Sequence, residues 1–448
     1  MNDHVEANGA HKRQPFALGI LQSFTPPAWL ASDDRLHGGD WWDGDYYVET
    51  TKRLEDAEFD FVFYHDTLAV QRRSDGSMDA ALRWAATAPA HDPLCLLPVL
   101  GRATDRIGLL GTASTTFSNP YQVARTFSTL DSLTRGRIGW NIVTSFEGDA
   151  AANFGLDVLP DHSERYDRAD EFVEVTKKLW NAWEEGAVIA DLESDTYVDA
   201  SKVHSVDHVG KHFRSRGPLN TQRSPQVVPF LAQAGASPRG RDFAAKHAEF
   251  VFAVPGIDVD AAREIREDLR RRAELAGRDP DDLMVVFGCN VAFEPDDWDP
   301  EVPVPVTDAQ FYSQLEWWSA SINFDLATLP LDEPIPADLP GAGITSMFQT
   351  LAEMGRMGKT LRQSIESFAK SRGGFRGTPE QVAGQMMDFM DAVGGDGIML
   401  TREWEYNAAF LDAATDRMAP ALVKAGVIGT ETRTGNTLRA RMRSIRHG

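Results

Sequence analysis

The sequence predicts a (β/α)8 barrel with insertions over its C-terminal mouth. Three observations carry that expectation. Ile107 to Ser145 reads as strand, loop, helix, turn and strand; eight short apolar runs recur along the 448 residues, most followed by a helical pattern; and polar residues cluster directly after several of the runs. In the first of these, Ile107 to Thr112 is apolar and ends in hydroxyl residues, as a strand buried on both faces does. Pro120 suits a first helical turn, and Val123, Ala124, Phe127 and Leu130 share one face. Asp131 to Gly136 stops the helix, and Arg137 to Thr144 starts the next strand. Strand, helix and strand without room for a hairpin make a right-handed βαβ unit with parallel strands.

The strand candidates, in order, are Phe16 to Leu21, Phe59 to Tyr64, Ile107 to Thr112, Ile138 to Thr144, Val228 to Ala232, Phe250 to Val254, Leu283 to Val291 and Gly397 to Thr401. A doubly wound sheet holds as many strands and is the second reading. Asp161 with Glu164 starts a helix that buries Ala169, Phe172, Leu179, Trp180 and Trp183, and Ser237 before Pro238 starts another. Residues 186–226 and 294–376 break the alternation, the latter with PDDWDPEVPVPV and LPLDEPIPADLP. Both are expected over the mouth, where lids and substrate loops form. Residues 1–14 read as a mobile tail and 15–448 as one domain.

Bulk properties exclude several classes. With 67 acidic against 45 basic residues the net charge is −22, which disfavours nucleic acid and anionic membranes as partners. Cys95 and Cys289 each sit in an apolar run, so both are expected to be buried and structural, in a reducing cytoplasm. No signal peptide and no run of roughly 18 apolar residues is visible.

Three motifs fail on inspection. GAGITS at Gly341 follows a proline-rich stretch and lacks the third glycine of a dinucleotide loop. MGKT at Gly358 has Glu353 where a phosphate-binding loop needs glycine, and reads as helix. His204, His208 and His212 are four apart, but Val203, Val206, Val209 and Gly210 indicate extended or turning chain, so no metal is expected.

The polar set that holds together is Asp66 after the second strand, Thr112 after the third, Thr144 and Ser145 after the fourth and Ser237 after the fifth. In a barrel these converge on one mouth. His162 and Tyr166 share a helix face with Arg165 beside them, and Ser237 opens a helix whose free N–H groups favour a phosphate, with Arg239 and Arg241 adding positive charge. A simple helix cap is the competing explanation for Ser237. One phosphate anchor and a polar-edged apolar mouth match FMN. His65 is the candidate for proton transfer, as the side chain that titrates near neutrality, although adjacent strand positions point to opposite faces.

These residues sit in longer stretches: NPYQVARTFSTLDSLTRGRIGWNIVTS, NFG at Asn153, ERYDRADEF at Glu164, KVHSVDHVGKHF at Lys202, RGPLNTQRSPQ at Arg216, QAGASPRGRDFAAKHAE at Gln233 and GNTLR near the C-terminus. In them the chain resembles the nitrilotriacetate and dibenzothiophene-sulfone monooxygenase family, flavin-dependent members of the luciferase-like superfamily. The resemblance implies a two-component monooxygenase that takes reduced FMN from a separate NAD(P)H:flavin reductase and uses O2, through a flavin C4a-hydroperoxide, on a small organic substrate. It also implies flavin contacts at Asp66, Thr112, His162, Tyr166 and Ser237, and a homo-oligomer, dimer or tetramer. A deazaflavin (F420)-dependent oxidoreductase on the same barrel and a non-catalytic flavin-binding protein are the alternatives. Water exclusion gives the insertions a lid role, with Phe311, Trp317, Trp318 and Phe324 as lid aromatics or plain packing. The chain departs from the family at SFTPPAWL, where Pro26, Pro27 and Ala28 precede Trp29, and at FSNP from Phe117, so the relatives' substrates do not carry over.

Overall fold

The structure, a computed structural model, describes residues 13–26, 41–72, 76–83, 85, 88–299, 301–302, 306, 308–322, 324–336, 338–339, 345–369, 374–401 and 406–447. The expectations for residues 1–12, for Pro27, Ala28 and Trp29, and for Gly341 lie outside the described residues. Eight strands, β1 (Ala17–Gln22), β2 (Phe61–Tyr64), β3 (Gly108–Ser114), β4 (Ile138–Val143), β5 (Phe230–Gln233), β6 (Phe250–Ala253), β7 (Met284–Cys289) and β8 (Gly397–Leu400), form one closed sheet in which β8 pairs with β1. Every pairing in it is parallel. Closure decides for the barrel over the open sheet, and each expected apolar run contributes one strand.

Helices follow the strands: α1 (Asp45–Asp56), α2 (Pro93–Ala103), α3 (Pro120–Leu133), α4 (His162–Trp180), α5 (Pro238–His247), α6 (Val259–Leu275), α7 (Pro379–Val393) and α8, a continuous run of Ala408–Asp412, Ala413–Met418 and Ala419–Lys424 with a π-helical middle. Alternation sorts the strand side chains. Phe61, Phe63, Leu110, Phe230, Phe250, Val286 and Met399 fill the interior, while Val62, Leu109, Trp140, Leu231, Val251 and Val285 face the helices. Gly19 is needed for that filling, because a Cβ there would lie 2.2 Å from the Phe61 ring. Trp140 is fully buried among Phe127, Phe172 and Trp180, and the Trp180 indole N–H donates to the Ala124 carbonyl at 2.8 Å, locking α3, β4 and α4 together.

The N-terminal end of the barrel is closed by the last part of the chain. Leu438, Met442 and Ile445 of α9 (Leu438–His447) join the interior cluster as a plug. Three acidic residues precede even-numbered strands, and each also accepts a backbone N–H from a neighbouring odd-numbered strand: Asp60 from Leu18, Glu249 from Leu231 and Asp396 from Val285. Arg433 holds Asp60 at 2.6 Å, Arg439 of the GNTLR stretch holds Glu249 at 2.6 Å, and Arg446 holds Asp396 at 2.7 Å.

The insertions lie at opposite ends. Residues 186–226 join the end of α4 to the start of β5, which puts them at the N-terminal end and along the outside of α4, not over the mouth as expected. Trp183 donates its indole N–H to the Leu219 carbonyl, Thr221 bonds Ser128, and Glu171 of α4 accepts the N–H groups of His212 and Phe213. The segment forms two small hairpins, and His204 pairs with Glu184 and His208 with Glu171. Residues 294–376 join β7 to α7 and therefore rise from the mouth. They hold helices Asp308–Ile322, Thr345–Arg356 and Leu361–Ala369 around their own core, in which Phe311 and Trp318 are buried and Trp318 stacks on Phe368 at 4.0 Å. Trp317 is 39% exposed, leaving it the candidate to face outward. Gly358 turns between two of these helices with φ +73° instead of lying within one.

Among the described residues no helix is long and apolar enough to cross a membrane. Cys289 is buried, and burial pushes its thiol up to about 12; Cys95, expected to be buried, is exposed on α2.

Candidate active site

Strands β2 to β4 supply the first part of the site. On β3, Leu110, Thr112 and Ser114 share the inward side, and on β4 Asn141 pairs with Thr112 across the register. The Thr112 hydroxyl donates to the Tyr64 carbonyl at 2.8 Å and accepts from Asn141 Nδ2 at 2.8 Å. Asn141 Oδ1 is left buried without a partner. A buried acceptor in that state costs about 1–3 kcal/mol, so the site is built for a donor from outside the chain. Ser145, at φ 53°, bonds Ser114 Oγ at 2.8 Å, and the Thr144 carbonyl accepts from Thr116.

Next to this layer lies a carboxyl pair. Asp66 follows β2, and Glu147 leads into the short helix Gly148–Asn153 that ties the β2 loop to the β4 loop: Arg72 N–H donates to Asp149 at 3.0 Å and Asn153 Nδ2 to the Leu68 carbonyl at 2.9 Å. Burial, then the Asp92 charge, pushes Asp66 up to about 6, and burial, then Asp66, pushes Glu147 up to about 7. His65 continues the alternation of Phe61 and Phe63 toward the interior, and its charge acts on both carboxyls. Sequence reasoning missed Glu147, one acidic residue in a polar loop; its burial and its partner 81 positions away appear only in three dimensions.

The raised values make a stability prediction. The folded state holds these protons more tightly than the unfolded chain, so the pair's contribution is complete below about pH 4 and lost as pH rises through about 6 to 7. Glu147→Gln is expected to stabilise the protein by about 1–2 kcal/mol at pH 8 and by much less at pH 5, read from urea unfolding. Equal effects at both pH values would contradict the raised Glu147 value.

The starts of α4 and α5 supply the second part. Ser237 caps α5, its Oγ accepting from Gly240 N–H at 3.0 Å and lying 3.2 Å from His162 Nε2. Tyr166 is buried one turn after His162; its hydroxyl meets the Thr144 side chain and, at 3.5 Å, Gln233 Nε2, and burial raises its pKa, so the phenol stays neutral. Gly235 and Gly240 leave the backbone bare here, since a Cβ on either would sit 2.6 or 2.7 Å from the Tyr166 hydroxyl. The positive charge differs from expectation. Arg239 is bound by Asp167 and Asp170, and Arg241 by Asp268, so carboxylates on α4 and α6 compensate both. Arg165 has unspent capacity: it is buried, one Nη1–H goes to the Pro160 carbonyl, and Nε has no partner. Burial, then Arg165 and Arg239, lowers the His162 pKa and favours its neutral form.

The structure thus brings Ser237, His162 and Tyr166 together, joins them through Thr144 to Ser145, Thr112 and Asn141, and sets His65, Asp66 and Glu147 beside that layer. An orphaned guanidinium nitrogen in one part and an orphaned amide oxygen in the other suit a ligand with an anionic end and a donor-bearing ring.

Comparison with known proteins places the chain in a family. The family model described as luciferase-like monooxygenase matches residues 19–396. The chain is 35% identical over 427 residues to the long-chain alkane monooxygenase of Geobacillus thermodenitrificans (strain NG80-2), covering 94% of this chain and 91% of that one. It is 34% identical over 434 residues to the dibenzothiophene-sulfone monooxygenase of Rhodococcus erythropolis, covering 92% of each. Among solved structures, a riboflavin lyase crystallised with modified FMN and its substrate riboflavin superposes with a TM-score of 0.81 at 27% identity, covering 96% of both chains.

Proposed function

The chain belongs to the luciferase-like monooxygenase family, and from that premise we propose that it is the oxygenating component of a two-component system, taking reduced FMN from a separate NAD(P)H:flavin reductase. The observation that carries the cofactor is the pair of orphaned atoms, Arg165 Nε and Asn141 Oδ1. Ser237, His162, Tyr166 and Arg165 would hold the phosphate, and Thr112, Asn141, Ser145 and Asp66 the ring system. Bound reduced flavin supplies the electrons that activate O2 for insertion into a small organic substrate.

The chain's own residues do the rest. Neutral Tyr166 and Ser237 offer hydroxyl donors that cost no charge to desolvate. Phe117, stacked on Phe154 at 4.8 Å, walls the β3 side with apolar surface and keeps water from it. Asp66 and Glu147 hold protons near neutral pH, the range in which a proton must be kept or released beside a reacting group, and His65 is the adjoining candidate for passing one on. Residues 15–448 act as one domain, as a homo-oligomer, and the two unpaired cysteines accord with the reducing cytoplasm.

The deciding experiment assays a panel of small organic substrates with and without a generic flavin reductase and NADH, reading oxygenated product. Product is expected only with the reductase present; NAD(P)H oxidation by the purified protein alone at a catalytic rate would overturn the two-component assignment. At the phosphate end, Ser237→Ala and Tyr166→Phe are each expected to weaken anaerobic binding of reduced FMN by about 1–2 kcal/mol. Unchanged affinity in both would remove the anchor from this position.

A further inference from the structure

Resting on that reading, we infer that Asn290 binds the organic substrate, its side-chain amide donating to an acceptor oxygen on an apolar body, and that Thr401 is the positioning residue that aims it. The two residues follow β7 and β8. In the closed order β1-β8-β7-β6-β5-β4-β3-β2, the pair β7 and β8 stands directly across the barrel from β3 and β4, where Thr112, Asn141 and Ser145 gather. A ring system held by that layer leaves the β7 and β8 side of the mouth to the molecule that is oxygenated.

Both side chains turn inward. Met284 and Val286 of β7 and Met399 of β8 belong to the interior cluster, and the alternation continues to Gly288, Asn290 and Thr401. Gly288 marks the same direction: a Cβ there would lie 2.4 Å from the Phe252 ring and 3.0 Å from Thr401 Cγ2. Leu21 and Phe252, the last inward side chains of β1 and β6, are only partly buried and give the mouth an apolar floor. Phe63 continues it, 6.2 Å from Phe252 between ring centroids.

Beside that floor the Asn290 amide is fixed at one atom and open at the other. Thr401 Oγ1 donates to Asn290 Oδ1 at 2.9 Å, and the Phe375 N–H donates to the Asn290 carbonyl at 2.9 Å. Phe375 opens the strand by which the 294–376 insertion returns, Phe375–Gly377 paired with Val291–Phe293, and Arg376 Nε donates to Glu294 at 2.7 Å. Asn290 therefore sits at the braced root of the insertion. No described residue accepts from its Nδ2, so both amide N–H groups are left for a ligand. Asn141, across the mouth, is the converse: its Nδ2 is engaged by Thr112 and its Oδ1 is left. The mouth thus offers an acceptor on the side assigned to the flavin and a donor on the opposite side. A carbonyl, sulfoxide or sulfone oxygen matches the donor, and an alkyl or aryl body matches the floor.

The test pairs acetophenone with ethylbenzene, which share a skeleton and differ in the carbonyl oxygen. Binding to the purified protein is measured by titration calorimetry without flavin, and oxygenated product by the reductase-coupled assay. Asn290→Leu, similar in size, is expected to weaken acetophenone about tenfold, the scale of a neutral hydrogen bond lost with its acceptor left unpaired, and to leave ethylbenzene within about twofold. Thr401→Val keeps the shape and removes the hydroxyl; it should weaken acetophenone about threefold, and Thr401→Ser should restore it. A threonine that only packs would move both ligands alike. Circular dichroism checks each variant, and if Asn290→Leu does not fold, the isosteric Asn290→Asp, which has no N–H to donate, takes its place with the same expected ketone-selective loss. Equal losses for both ligands, undiminished acetophenone affinity, or no measurable wild-type binding of either compound overturns the inference. A ketone-selective loss without oxygenated product from any substrate of the panel would leave the donor assignment standing and count against the monooxygenase reading.

Discussion

Replacing Arg433 with alanine is expected to lower the free energy of unfolding by about 3–5 kcal/mol, the scale for stranding a buried charge by removing its partner. The Arg433 and Asp60 side chains are 1% and 2% exposed. Arg433 Nε and Nη2 donate to the two Asp60 oxygens at 2.6 and 2.9 Å, and Nη2 also donates to the Phe16 carbonyl at 2.8 Å. Asp60 in turn accepts Leu18 N–H at 2.9 Å, so one side chain, 373 positions along the chain from its partner, fastens the last segment to the first two strands. Without it, Asp60 keeps its burial and loses its counter-charge. Urea unfolding of Arg433→Ala and of the double variant Arg433→Met with Asp60→Asn separates the two contributions. The double variant should recover much of the loss, because replacing both partners removes the desolvated charge as well. A loss under about 1 kcal/mol in the single variant would mean that solvent reaches Asp60 in solution.

The same clamp shows what a sequence discloses and what it withholds. The barrel was legible because its strands are buried on both faces, which gives short apolar runs such as Phe61–Tyr64 and Gly397–Leu400 separated by helix starts with strong local chemistry at Pro120, Asp161 and Ser237. The polar mouth was legible in Thr112 and Ser145 because strand ends in a barrel converge by topology. Glu147 was hidden, since nothing local marks a loop glutamate as buried against Asp66. Arg239 and Arg241 misled for the converse reason: their positive charge is visible in QAGASPRGR, whereas the carboxylates that compensate it, Asp170 and Asp268, lie on other helices. The first insertion was misjudged although its end was derivable, because a segment running from a helix to the next strand belongs to the N-terminal end of the barrel. GNTLR carries family resemblance without touching the mouth; Arg439 works at the opposite end, on Glu249.

Gly240→Val is expected to cut affinity for reduced FMN by about 100-fold, roughly 3 kcal/mol, the largest effect of any single change at the mouth. Gly240 lies in the first turn of α5, where its N–H meets Ser237 Oγ at 3.0 Å. A Cβ would stand 2.7 Å from the Tyr166 hydroxyl and 3.0 Å from Gly235 Cα. Tyr166 is buried against Phe243 and cannot swing away, and Gly235 Cα is backbone, so the helix start itself must move. That motion carries Ser237 and the free N–H groups with it, removing several phosphate contacts together where Ser237→Ala removes one. The barrel bears the strain, at about 1–3 kcal/mol of stability, because the packing face of α5 at Phe243, Ala244 and His247 is untouched. Gly240→Ala makes the smaller intrusion, and combining it with Tyr166→Phe deletes the atom it strikes. If the cradle binds the phosphate, the combined variant should bind reduced FMN more tightly than Gly240→Ala alone, although each change by itself weakens binding. Affinity within threefold of wild type in Gly240→Val, or purely additive losses in the double variant, would put the phosphate elsewhere in the mouth.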